Sequence, residues 1–294
     1  MLNHLKNYKT FVIANDAGGA QNLYRITKKI RNPYIYYLSG PAKKLFSAVK
    51  NTRVKKLETN IINSELLLCT TSFDDHTYSH AIQIAKKNNI YTVVLLDHWV
   101  YFRQRLKRFT GALLPDEIIV TDRMAYKIAK KSFPYIKVNL IKDMYLDEQL
   151  RKISYFKKNL NIDMNMVLYC TNKIQSPKKK IKHHYDEYDA LIFFLQNIRK
   201  LNCNINKVIL RIHPSEKLSK YDHIIKKNKN KIKIIKDNNS DLSKQIALSN
   251  FIVGCETYPL VIALKAQKKV FYSIPPNGMA SLLPFSQIKY IRDM

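Results

Sequence analysis

A chain of 294 residues has room for about two domains of ordinary size, and a hydrophobic content of 46% supplies a core for each. No run approaches the roughly 20 uninterrupted apolar residues of a membrane span, and the opening MLNHLKNYKT carries no apolar signal region, so the expectation is a protein made and kept in the cytoplasm. The net charge of +29 comes from Lys spread along the whole chain without an RNP, zinc-finger or basic-zipper pattern, which argues against a specific nucleic-acid reader and leaves a surface that attracts anions, from sugar nucleotides to acidic lipid headgroups.

In chain order, the first half offers strands over Phe11–Asn15, Tyr34–Leu38, Leu66–Thr70, Tyr91–Asp97, Glu117–Thr121 and Lys137–Ile141. Amphipathic segments such as Ala20–Ile30, His76–Asn88 and Arg123–Lys131 lie between them. Strands alternating with helices of this length predict βαβ units and a parallel sheet, and runs such as VVLL fit strands covered on both faces. The polar stretch Asp143–Asn165 breaks the rhythm and reads as a linker with a helix. The pattern then restarts, with strands over Met166–Thr171, Lys207–His213, Lys231–Lys236, Phe251–Gly254 and Lys269–Ile274. Their helices are Tyr185–Leu201, Glu216–Lys227, Leu242–Ser249 and Tyr258–Ala266. The prediction is an α/β chain of two doubly wound parallel sheets, divided into 1–150 and 151–294. Cys69, Cys170, Cys203 and Cys255 lack CxxC spacing and read as free thiols, with neither a zinc site nor a disulfide frame.

In such sheets ligands bind beyond the carboxyl ends of the strands, and the chemically useful residues fall there. After the first strand come Asp16, Gly18 and Gly19, where paired glycines let a ligand approach a helix start; Asp16 is either a working carboxylate or a helix cap. After the third come Asp74, Asp75 and His76, two acids close enough to perturb one another. After the fourth come Asp97, His98 and Trp99, with Arg103 beyond: a wall suited to a sugar, or an aromatic satellite of the core. The second half ends its strands at Asn172, at His213-Pro214-Ser215, and at Glu256-Thr257. Pro214 stops the ladder, Ser215 is placed to cap a following helix, and His213 is thereby pointed beside a helix N-terminus, where phosphate binds well.

Four pieces of the chain carry a resemblance. The run SDLSKQIALSNFIVGCETYPLVIALKAQKKVFYSIPP resembles the nucleotide-binding signature of GT-B glycosyltransferases and of the related UDP-N-acetylglucosamine 2-epimerases. LPDEIIVTDRMAYKIAKK resembles a late N-domain segment of the same fold. RIHPSE is similar to the His-Pro element of bacterial sialyltransferases and of capsule and teichoic-acid polymer enzymes, and NDAGGA to the first loop of sialic-acid-type surface-polysaccharide proteins. Two departures stand out: Glu256-Thr257 replaces the epimerases' Asp-Ser-Gly-Gly turn, and the chain stops soon after PFSQIKY, so a long C-terminal crossover helix is expected to be short or absent.

The resemblance implies two Rossmann-like domains facing a cleft and a metal-independent transfer without a cofactor, in which the second domain holds a CMP- or UDP-linked sugar. His213 and Thr257 would meet phosphate, Glu256 ribose, with Asn172, Pro214 and Ser215 beside them. The first domain would bind a glycan or lipid-linked acceptor through Gly18, Gly19, Asp97, His98, Trp99 and Arg103, with Asp16 as base or, failing that, Asp74 or Asp75. The basic surface would allow peripheral attachment to an anionic membrane. A UDP-sugar 2-epimerase or hydrolase is the alternative enzyme, and a non-catalytic binding module for acidic polymers the alternative outside enzymes.

Overall fold

The computed structural model describes residues 2–50, 56–72, 77–110, 113–174 and 183–294, with side chains for all of these except 107–110. The chain divides into two compact units, Met1–Tyr145 and Leu146–Met294.

In the first unit six strands form one parallel sheet in the order β2-β1-β3-β4-β5-β6. They are β1 (Thr10–Ala14), β2 (Tyr34–Leu38), β3 (Leu66–Thr70), β4 (Tyr91–Leu96), β5 (Glu117–Val120) and β6 (Lys137–Leu140). The connecting helices are α1 (Ala17–Ile30), α2 (Ala42–Leu45), α3 (Leu57–Ile62), α4 (Thr77–Lys87), α5 (Phe102–Thr110) and α6 (Arg123–Ser132). β3 is buried at every position, so its alternate residues feed cores on both faces, as a parallel sheet under helices requires. On one face Leu23 and Ile26 of α1 pack with Val12, Leu66, Leu68, Val93 and Leu95. Fully burying each such side chain contributes about 1.5–3 kcal/mol.

The second unit, after α7 (Met144–Asn159), is again a six-stranded sheet, with a different strand order. Its sheet runs β12-β11-β10-β7-β8-β9, again wholly parallel. The strands are β7 (Asp163–Cys170), β8 (Lys207–Arg211), β9 (Lys233–Lys236), β10 (Ser249–Gly254), β11 (Lys269–Tyr272) and β12 (Lys289–Tyr290); the helices are α8 (Glu187–Asn197), α9 (Asp222–Asn228), α10 (Leu242–Leu248) and α11 (Tyr258–Lys265). Val167, Tyr169, Val208, Leu210 and Val253 meet Leu191 and Phe194 of α8, the Tyr169 and Phe194 rings lying 4.9 Å apart. Two Rossmann-like doubly wound sheets, the fold class of GT-B enzymes, follow from the alternating pattern of the sequence. Among the described residues no helix is long and apolar enough to cross a membrane.

One predicted element is displaced. No helix begins at Ser215; residues 214–221 turn three times, with Glu216, Lys220 and Asp222 N–H groups donating to the carbonyls of His213, Lys217 and Ser219, and α9 starts only at Asp222. The Ser215 hydroxyl that was to cap the helix lies 2.7 Å from His213 Nδ1 instead.

Candidate active site

Each sheet has a switch point where the strand order reverses, and the crevice beyond the carboxyl ends of the two strands flanking it is where doubly wound sheets hold ligands. In the first unit these strands are β1 and β3, and in the second β7 and β10.

At the first switch point Asp16 occupies the N-cap position of α1, with its backbone carbonyl accepting from Ala20 N–H, but its side chain makes no capping bond. The Ser72 hydroxyl, at the end of β3, instead donates to Asp16 Oδ1 at 3.0 Å. The carboxylate therefore stands across the crevice at the strand ends. Asn15, beside it, donates through Nδ2 to the Ser39 hydroxyl at 2.7 Å and ties the β2 end into the same edge.

The paired glycines serve an internal contact. A Cβ on Gly18 would sit 2.6 Å from Asp97 Oδ2, and one on Gly19 would sit 2.8 Å from Thr70 Cγ2 and 3.3 Å from Asp97 Cγ. The Asp97 carboxyl thus approaches the first turn of α1, where Gly19 N–H donates to it. Burial raises its pKa, while the Arg105 guanidinium, its own N–H and that of Gly19 work to lower it and Asp143 adds to the rise; the net direction is upward. Asp97 fills the helix N-terminus that was read as open to a ligand.

The rest of the predicted sugar wall is mostly interior. Trp99 is 7% exposed and donates from Nε1 to Asp122 Oδ2 at 2.6 Å, so its indole packs rather than offering a stacking face. Burial, helped by Arg105, pushes the His98 imidazole down to about 3, so it is neutral. Arg103 is exposed on α5, whereas Arg105, two residues on, is buried and donates from Nη1 to the Thr71 hydroxyl at 2.9 Å. Asp74 and Asp75 lie outside the described residues.

At the second switch point β7 and β10 approach closely enough that a Cβ on Gly254 would lie 2.6 Å from the Cys170 carbonyl oxygen. Thr171 and Asn172 follow β7, Glu256 and Thr257 follow β10, and His213 follows β8, whose Arg211 pairs with Cys170. All five therefore stand on one edge of one sheet. Ser215 N–H donates to His213 Nδ1 at 3.2 Å and the Ser215 hydroxyl lies 2.7 Å from it, contacts that favour the tautomer with the ring proton on Nε2. In that tautomer Nε2 is the donor of the ring. Pro214 and Ser215 are exposed. Thr257 occupies the N-cap position of α11 without a side-chain capping bond, and Glu256 Oε1 accepts from Leu282 N–H at 2.5 Å. Among the described residues no three His, Cys, Asp or Glu side chains are grouped as metal ligands.

Sequence reasoning missed Ser72, Arg105 and the part played by Thr171. Arg105 sits in RQRLKR, which reads as a solvated basic face, and only its spacing from Tyr101 and Phe102 hints at an inward side.

No protein-family model and no curated protein matches this sequence. Solved structures do resemble it in fold. The UDP-GlcNAc 2-epimerase of Neisseria meningitidis bound to UDP-GlcNAc aligns with a TM-score of 0.61 at 10% identity, covering 90% of this chain and 82% of that one. S. aureus MnaA in a co-structure with UDP aligns at 0.58 and 12% identity, over 91% and 79%. A variant of the wall teichoic acid polymerase TagF soaked with CDPG aligns at 0.52 and 13% identity, over 90% and 69%. At these identities the likeness is one of fold.

Proposed function

We propose that this chain is a glycosyltransferase that moves a sugar from a nucleotide donor to a surface-glycan or lipid-linked acceptor. One observation carries the reading: the β7, β8 and β10 ends gather Asn172, His213, Glu256 and Thr257 on one edge at a switch point. His213 and Thr257 meet the donor phosphate, where a preorganised donor is worth about 10²–10³-fold in turnover. Glu256 has a second carboxylate oxygen for a ribose hydroxyl, and Asn172 stands beside it. In the first unit Asp16, held through Ser72, removes the acceptor proton as charge develops on the sugar. The donor is a CMP-linked sialic-type acid or a UDP-linked sugar, and the basic surface lets the protein work on acceptors at an anionic membrane.

A UDP-sugar 2-epimerase or hydrolase is the second reading, favoured by the fold shared with the epimerase at a TM-score of 0.61. Incubation with UDP-N-acetylglucosamine alone separates the two, because an epimerase makes product without an acceptor. The first reading is tested by thermal shift with CMP, UDP, GDP and TDP, since a ligand at 100 times its Kd adds about 2.7 kcal/mol. His213→Ala is expected to melt like the wild type, lose the shift given by the best nucleotide, and lose about 10²–10³-fold in turnover. Unchanged turnover in that variant would remove the reading.

A further inference from the structure

We propose that Thr171 is a positioning residue for His213 and that the buried Glu216 acts through it. The inference rests on the reading of His213 as a ligand-facing donor.

The Thr171 hydroxyl makes two bonds of opposite sense. It donates to Glu216 Oε2 at 2.6 Å and accepts from the His213 backbone N–H at 2.8 Å. A hydroxyl has one proton, and the carboxylate claims it, so the lone pair is turned toward His213. The bond to a charged acceptor is the stronger kind, and it polarises the oxygen that receives the histidine N–H. The relay has a fixed direction: carboxylate, hydroxyl, histidine backbone.

Glu216 is set with matching care. Its side chain is 2% exposed, the Tyr221 hydroxyl donates to it at 3.0 Å, and Lys220 Nζ lies 2.6 Å from Oε1. Lys220 also pairs with Glu187, whose side chain is 1% exposed, and its ammonium lies 5.3 Å from the centre of the Tyr188 ring. Two buried carboxylates therefore share one cation. Such an arrangement is hard to account for as stability alone, since an apolar filling of the same volume commonly serves a fold as well or better.

The opposite side of the β8 end is braced too. Asn238 accepts from Ile212 N–H at 2.9 Å and donates to the Ile212 carbonyl at 2.6 Å, extending the β8–β9 ladder by a side chain. Thr171 follows β7 and Asn238 follows β9, so the backbone entering His213 is gripped from both neighbouring strand ends. Ser215 N–H reaches Nδ1 only while this backbone keeps its place, so the ring tautomer reports on the grip of Thr171.

The test uses the full chain, with ¹⁵N-histidine ring spectra assigned by His213→Ala, and UDP titrated as the probe. The wild type is expected to show His213 as the Nε2–H tautomer, and Thr171→Ser to match it, because the hydroxyl is kept. Thr171→Val is expected to show a mixed-tautomer ring and a UDP affinity lower by about three- to tenfold, the scale of one lost hydrogen bond. A Thr171→Val ring spectrum and UDP affinity equal to the wild type would overturn the proposal. Should Thr171→Val fail to fold, Glu216→Gln is read on the same two measurements; a shifted tautomer supports the relay and an unchanged one overturns it. A wild type that binds no UDP counts against UDP as the donor nucleotide, and the ring spectra still decide the role of Thr171.

Discussion

The carboxyl edges of the two sheets share an architecture and differ in chemistry. At the first, the protein supplies its own acid to the start of α1: Asp97 reaches Gly19 N–H, and the Gly18-Gly19 pair exists to let it in. What is left at the switch point is a second carboxylate, Asp16, steadied by Ser72. At the second, Thr257 leaves the start of α11 without a side-chain cap, Asn172 and His213 follow their strands, and the carboxyl of Glu256 accepts from Leu282 N–H. In the proposed function the first edge takes a proton and the second meets the donor phosphate. The two sheets differ in strand order as well as in the residues that follow their strands, and it is such loop residues that give a scaffold of this kind its function.

The contrast is most severely tested at Asp16. Asp16→Asn is expected to slow transfer by about 10²–10⁴-fold while leaving nucleotide affinity unchanged. A matching loss of affinity for the best nucleotide, measured by titration, would break the division between an acid edge and an anion edge. Next in size is Gly19→Ala. The added methyl would press on Thr70, a strand residue that cannot step aside, and overpacking of this kind costs about 1–3 kcal/mol. The melting temperature is expected to fall by several degrees with nucleotide affinity retained, and an unshifted melt would show that α1 does not need its close approach. The smallest effect is expected from Asp97→Asn. The folded protein raises the Asp97 pKa, so it holds this proton more tightly than the unfolded chain does; the associated stability is present in acid and lost as pH rises through the folded value. The variant has no such proton. Melts from about pH 4 to 8 are therefore expected to show it gaining on the wild type as pH rises, and a constant difference would mean that Gly19 N–H and Arg105 already satisfy the charged form.

The strands were legible because they are short β-branched or aromatic runs buried on both faces, and eleven of them follow the predicted positions to within a few residues. β12 escaped because it is two residues long, Lys289 and Tyr290, without a pattern of its own. The delayed start of α9 was not legible because a serine after a proline is an equally good cap for a helix and partner for an imidazole, and only the fold decides. Site positions were legible where a reading needs only a place beyond a strand end, as for His213 and Glu256, whose roles are proposals. They were not where it needs a partner far along the chain. Thr171 meets Glu216 across 45 positions, and Asp97, after β4, meets Gly19, after β1, past the intervening β3. Trp99 was misread for the same reason, since its indole is satisfied by Asp122, 23 positions away.

The grip of Asn238 and Thr171 on the β8 end also separates two things that are adjacent in sequence. The His213 backbone is anchored to the sheet, while Pro214, Ser215 and the residues from Lys217 to Ser219 lie exposed beyond that anchorage. The exposed side chains of Lys217, Leu218 and Ser219 can accordingly be exchanged without touching the Glu216–Lys220 pair behind the histidine, whereas an insertion there would pull that pair apart.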